Sequence, residues 1–187
     1  MRMDAKDISL TAIFASLYAV INIIQTTMGG PITYGPLQLR LADCLIPLSI
    51  LFGWPQILGV SIGCFSNAYY WLDPADIIVG PIVNFAAATI IFVLRKRRSI
   101  ASILGALTVG IPIGIYLYYL YTQGNPIIIE QVPNFPGLSL PIWTAFVTSL
   151  TMSSLITVAV MGYILLNALA RSAIIEPLKS RGLKVYE

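Results

Sequence analysis

The chain has 187 residues, of which 57% are hydrophobic and only 10% charged, with a formal net charge of +3 and a mean hydropathy of +0.83. A soluble domain needs more polar surface than that to meet water, so the composition excludes an ordinary soluble fold and makes lipid the solvent for most side chains. Histidine is absent, which removes the commonest general base and metal ligand and weakens any enzymatic reading.

A bilayer crossing takes about 20 apolar residues. In chain order the candidates are Ile8 to Ile24, Leu41 to Gly53, Pro55 to Tyr70, Ile77 to Leu94, Ile100 to Tyr121 and Leu140 to Ala170. The first exceeds the ~7–15 apolar residues of a secretory signal and is read as a retained span. The second is short and is led by Gly35, Pro36, Gln38 and Arg40. Short, interrupted spans line cavities, because irregular backbone at membrane depth is tolerated only against protein or water. The expectation is an all-α integral membrane protein with a six-helix transmembrane domain over 1–170 and a polar cytoplasmic tail over 171–187.

Six spans with the amino terminus inside place Arg2, Lys6, Arg95, Lys96, Arg97, Arg98, Arg171, Lys179, Arg181 and Lys184 in the cytoplasm. Only Arg40 of the 11 basic residues then lies outside. An odd number of spans would split these clusters between the two faces. Both termini are therefore predicted to be cytoplasmic, in a multi-pass protein of the cell membrane. The positive charge tracks sidedness and marks no nucleic-acid surface. Cys44 and Cys64 sit in apolar runs and read as small buried hydrophobes.

Four features could carry function. On the first helix, Thr11, Ala15 and Ala19 recur every four residues with Ala12 beside them. Such a face of small side chains either packs internally or docks a second membrane protein. At the start of the second span, a helix beginning near Leu37 would put Arg40 and Asp43 three apart on one face, as a structural ion pair or as a solute-facing pair. Around the outer ends of the third and fourth spans stand Asn67, Asp73, Asp76 and Asn84. An amide in an apolar run needs a partner, which a neighbouring helix can supply, and Asp76 could cap the fourth helix. Tyr34, Tyr69, Tyr70, Tyr116, Tyr118, Tyr119 and Tyr121, with Trp71 and Trp143, fall at the predicted outer side. They form an interfacial belt or offer faces on which a planar heterocycle could stack. The sequence has no P-loop and no Cys/His cluster, so uphill transport would draw its energy from an ion gradient or from other subunits.

The runs ASLYA over Ala15 to Ala19, ITYGPLQLR over Ile32 to Arg40 leading into Leu41 to Asp43, GCFSN over Gly63 to Asn67 and DIIVG over Asp76 to Gly80 resemble the queuosine-precursor transporter (QueT) family. The likeness extends over about residues 8 to 170, and the Tyr-Gly-Pro-x-Gln-x-Arg run is its most specific piece. The resemblance implies a six-helix substrate-binding S component of an energy-coupling-factor importer. Such a subunit is not an enzyme and needs no cofactor or metal. It captures a queuosine precursor, a 7-deazaguanine such as preQ0, preQ1 or queuine, or alternatively another vitamin or planar heterocycle. It docks through Ala15 and Ala19 on a transmembrane coupling subunit driven by two ATPases. The chain departs from the family pattern with Asp at 43 in place of Glu, and with Ser153 and Ser154 in place of a Gly-Glu pair.

A 7-deazaguanine presents N1–H and a 2-amino group as adjacent donors, which one carboxylate can accept together, while O6 accepts from an amide or guanidinium. By chemical type, Asp43, Asp76 or Glu130 suits the first role and Gln38, Asn67, Asn84 or Arg40 the second. Tyr34, Tyr119 or Trp143 could stack on the ring.

Overall fold

Backbone in lipid must satisfy its own hydrogen bonds, and every regular element among the described residues is helical. The structure, a computed structural model, describes residues 4–34, 39–69, 74–124 and 141–186. Helix α1 (Ala5–Tyr34) loses helical geometry at Gly29, two residues before Pro31. A 3-10 helix (Leu41–Leu48) runs into the single turn α2 (Ser49–Phe52), and Gly53 breaks the chain before α3 (Trp54–Gly63). Pro55 is tolerated there because the first turn of a helix needs no N–H at that position. A second 3-10 helix (Cys64–Tyr69) closes this pass. Then come α4 (Pro74–Val93), a 3-10 turn (Arg95–Arg97) and α5 (Arg98–Gly124). The last rod is α6 (Ile142–Ser154), a π-helical stretch (Leu155–Gly162) and α7 (Tyr163–Leu169), with α8 (Ser172–Ser180) following.

Among the described residues, three stretches are long and apolar enough to cross a bilayer: Ala5–Gly29, Arg95–Leu120 and Trp143–Leu169, of 25, 26 and 27 residues. At 1.5 Å per residue each exceeds the ~30 Å hydrocarbon core. Leu41–Phe52 and Ile77–Val93 are shorter apolar helices. Large apolar side chains point outward on these elements, among them Ile13, Val20 and Ile24 on α1 and Ile78 and Ile82 on α4. The molecule is an all-α membrane protein.

Lipid gives helices no hydrophobic reason to associate, so small residues and close backbone contact must hold them. Gly59 and Gly63 on α3 face α1, where an added Cβ would come within 2.6 Å of Phe14 Cβ or 2.7 Å of the Ala15 carbonyl oxygen. Gly110 and Gly114 on α5 repeat the device against α6, where the same atom would lie 2.5 Å from Thr151 Cα or 2.7 Å from Val147 Cα. Gly162 lets the π-helical stretch rest on Pro47 and the Cys44 carbonyl of the first 3-10 helix.

The tail does not trail away from the bundle. Beyond α8 it returns across the end that carries the chain's start and the Arg95 turn. Tyr186 N–H donates to the Leu51 carbonyl at 2.8 Å, and its ring meets Phe92 edge-on at 5.2 Å. The Arg95 guanidinium lies over both rings, 4.8 and 5.6 Å from their centres. Lys6 donates to the Arg181 carbonyl at 2.9 Å, and Lys184 reaches Asp7 at 3.1 Å and Asp4 at 3.5 Å. The start of α1 and residues 181–186 thus meet at one end of the bundle.

Gly53 makes room for this strap. Its φ of +61° is rarely adopted by other residues, and a Cβ there would lie 2.6 Å from the Tyr186 ring. Gly53→Ala is expected to lower stability by about 1–3 kcal/mol. Melting in detergent checks this, and in a Tyr186→Ala background the steric part of the loss disappears while the backbone part stays.

The ion pairs of Lys184 at the strap are partly exposed and respond to pH in two directions. The Asp7 backbone N–H, at 2.9 Å, is the main cause that holds Asp4 below its ordinary 3.8, and the hydrogen bond to Asp7 is the main cause that raises Lys184 above 10.5. A depressed carboxyl stabilises above its unfolded value and loses this as pH falls through the folded one; a raised amine does the reverse on the alkaline side. Strap docking is therefore expected to be tightest between these limits, to loosen below about pH 3.8 and above about pH 10.5, and to weaken in high salt. Amide exchange at Val185 and Tyr186 reads it out.

Candidate functional site

Tyr18, Asn22 and Gln25 of α1 stand at spacings of four and three that put them on one helical face. That face turns inward at the end opposite the strap. Gln25 bridges α1 to the incoming second span: its amide donates to the Leu39 carbonyl and accepts from the Leu41 N–H at 2.8 Å. It thereby satisfies backbone just before the 3-10 helix, where no helical partner exists.

The 3-10 helix starts at Leu41, not near Leu37, and this corrects the expected geometry of the Arg40 and Asp43 pair. Arg40 is extended, with φ −98° and ψ 99°, and stands before the helix; Asp43 lies in its first turn. They share no helical face. Instead the Arg40 carbonyl accepts the Asp43 N–H at 3.2 Å, which closes that turn, and both side chains border the same cavity.

Asp43 is 3% exposed, and on its other side it meets Tyr18, which is 0% exposed. Tyr18 Oη donates to Asp43 Oδ1 at 2.6 Å, and Asn84 Nδ2 of α4 donates to Tyr18 Oη at 3.0 Å. One turn along α1, Asn22 Nδ2 donates to Asn67 Oδ1 and to Ser66 Oγ, each at 2.9 Å. Asn67 Nδ2 in turn lies 3.6 Å from Cys64 Sγ. Four elements thus converge on one buried polar cluster. Burying amides and a carboxylate is costly unless each has a partner. Here α1 supplies the partners for Asn67, Asn84 and Asp43. The amides do cross-link helices, and they do so around the carboxylate.

Beyond Arg40 and Asp43 the cluster opens on a cavity of about 10 Å³, bordered by Val109, Gly110 and Ile113 of α5 and Leu150, Ser153 and Ser154 of α6. That is room for about one water. Two groups in contact with the space are charged by type, two are hydroxyls, and the rest are apolar.

Of the residues singled out in the sequence, the structure gathers Arg40, Asp43, Asn67 and Asn84. Tyr119 and Trp143 are 58% and 47% exposed and do not border the cavity. Tyr34 ends α1 and Asp76 stands in the first turn of α4, but their side chains lie outside the described residues, as do Gln38, Asp73 and Glu130. Ala15 and Ala19 are half-buried on α1, beside exposed Ala12 and Ser16. The Ala15 backbone lies against Gly59 and Gly63, so part of the small face packs internally. Tyr18, Asn22 and Gln25 escaped the sequence reading. Their signal was an inward polar stripe on the first span.

Comparison with curated proteins and with solved structures gave no match. The family model described as QueT transporter matches residues 8–171, a range that holds every element of the cluster. A membrane-embedded helical bundle with one buried, charged and amide-rich cluster at one end is what a solute transporter requires, and with this match over most of its length the chain belongs to the QueT transporter family.

Proposed function

We propose that the chain is the substrate-binding S component of an energy-coupling-factor importer in the cell membrane, and that it captures a queuosine precursor from outside. The observation that carries this reading is a buried carboxylate with amides and hydroxyls around it in a member of a transporter family. Asp43 would accept the N1–H and 2-amino donors of a 7-deazaguanine, and Arg40 would donate to O6. The apolar walls from α5 and α6 would flank the ring. A bicyclic base is many times larger than the present cavity, so binding requires α5 and α6 to move away from the 3-10 helix. A different planar heterocycle is the second reading, favoured by the Ser153 and Ser154 hydroxyls on the cavity border.

The strap end, with Arg95 to Arg98, Lys6 and Lys184, would face the cytoplasm by the positive-inside rule, with six spans between the faces. A cysteine introduced at Ser99 is expected to be labelled from inside only; labelling from outside would invert the assignment. The coupling subunit would dock on the small face of α1 around Ala12, Ala15, Ser16 and Ala19, and partner ATPases would supply the energy. The test of the substrate is mass spectrometry of small molecules that co-purify with the protein, followed by calorimetric titration with preQ0, preQ1 and queuine. Saturable one-to-one binding of one of them is expected. Recovery of an unrelated heterocycle would favour the second reading, and no saturable ligand would overturn both.

A further inference from the structure

The buried phenol of Tyr18 has no evident reason to be polar if its task were packing. Its Cβ packs closely on Gly63, where an added Cβ would come within 2.7 Å of it. A phenylalanine would fill the same space. The hydroxyl instead joins Asp43 and Asn84 on different elements, with Cys64 Sγ a more distant third neighbour at 3.9 Å. Asn84 Nδ2 can only donate, so Tyr18 Oη accepts from it at 3.0 Å and has a single proton left, which goes to Asp43 Oδ1 at 2.6 Å. That length is typical of a hydrogen bond to a charged acceptor. Asp43 is thereby held from the α1 and α4 side, with Oδ2 free of this bond on a residue that borders the cavity with Arg40, Ser153 and Ser154.

We propose that Tyr18 and Asn84 are positioning residues that hold Asp43 as a fixed hydrogen-bond acceptor at the Arg40 cavity, and so select a ligand that presents adjacent N–H donors. A ligand edge that offers a carbonyl oxygen there would face an acceptor already oriented against it, and would be rejected. This inference rests on the reading of the chain as a heterocycle-binding subunit and adds to it the residues that set the selectivity. Neither positioning residue touches the ligand; both act through Asp43.

Infrared spectroscopy of ligand-free protein labelled with ¹³C-aspartate tests the relay without any ligand, with Asp43→Asn subtracted to assign the Asp43 carboxylate band. Tyr18→Phe is expected to shift that band, and Asn84→Leu, which leaves the Tyr18 bond in place, to shift it less in the same direction. If Tyr18→Phe does not fold, Asn84→Leu alone carries the comparison. Calorimetry with preQ1 and its 2-deamino analogue then reads the selectivity. Tyr18→Phe is expected to weaken preQ1 about tenfold and the analogue much less, which narrows the preference. An unshifted band overturns the proposal, and so does an equal loss for both ligands, the result of a merely structural role. If wild type binds neither ligand, the substrate reading fails, and the relay is judged by the band alone.

Discussion

Asp43→Asn is expected to weaken binding of a 7-deazaguanine by about 1.5–3 kcal/mol, the worth of a hydrogen bond to a charged group, or roughly 10–150-fold in affinity. Asparagine keeps the shape and still offers one oxygen to Tyr18, so the substitution removes the charge and one acceptor and little else. In wild type, Tyr18 takes one site on Oδ1, and a carboxylate oxygen has a second lone pair, so both ligand donors can still be accepted. The 2-deamino analogue has one donor fewer and is expected to lose much less. Isothermal calorimetry with the two ligands against both proteins measures this, and melting of the empty proteins supplies the control. If the Arg40 and Asp43 charges serve only the fold, the outcome differs. Arg40→Ala and Asp43→Ala would each destabilise the empty protein, and the double change would recover much of the loss, because it leaves no uncompensated buried charge.

Ala12→Trp is expected to reduce ATP-dependent uptake to background while solute binding to the isolated chain stays within error of wild type. Ala12 and Ser16 are exposed on α1, so a bulky side chain at 12 meets lipid in the isolated subunit and meets backbone only where another helix approaches closely. Ala15 is a poorer probe. Its backbone lies against Gly59 and Gly63, so Ala15→Trp is expected to disturb the α1–α3 contact and with it Tyr18 and Asn22, which would cost binding as well as uptake. Co-purification with the coupling subunit, uptake into proteoliposomes and ligand titration separate the two variants. Equal loss of binding and uptake in Ala12→Trp would mean that this face has no partner and serves the subunit's own structure.

Much of this was legible in the amino-acid sequence, because lipid punishes any departure from a simple rule. Apolar length has to match the membrane and exposed backbone has to be helical, so the apolar runs of the sequence fall on the observed helical elements. A charge or amide in or beside such a run needs a partner, and Arg40, Asp43, Asn67 and Asn84 stand out on that ground, whereas Asn22, an amide of the same kind in the first run, was not singled out. Tyr18 did not stand out. Tyrosine is common in membrane helices, and nothing in its local sequence says whether its hydroxyl faces lipid headgroups or a carboxylate 25 residues on. Helix start was the other local failure. The Leu37 expectation used an α-helical spacing, whereas Gln25 on a distant helix ties down Leu39 and Leu41 and leaves Arg40 extended.

By itself, then, the sequence determined the solvent, the helical class, the clustering of basic residues and the short set of polar groups that needed partners. Those follow from transfer free energies that each residue carries wherever it sits. Which polar group meets which was decided by tertiary structure alone. The glycine pairs at 59 and 63 bring α3 against α1, and that approach turns the stripe of Tyr18, Asn22 and Gln25 onto Asp43, Asn67 and Leu39. The pairing depends on distance and direction between elements, and no single segment contains either.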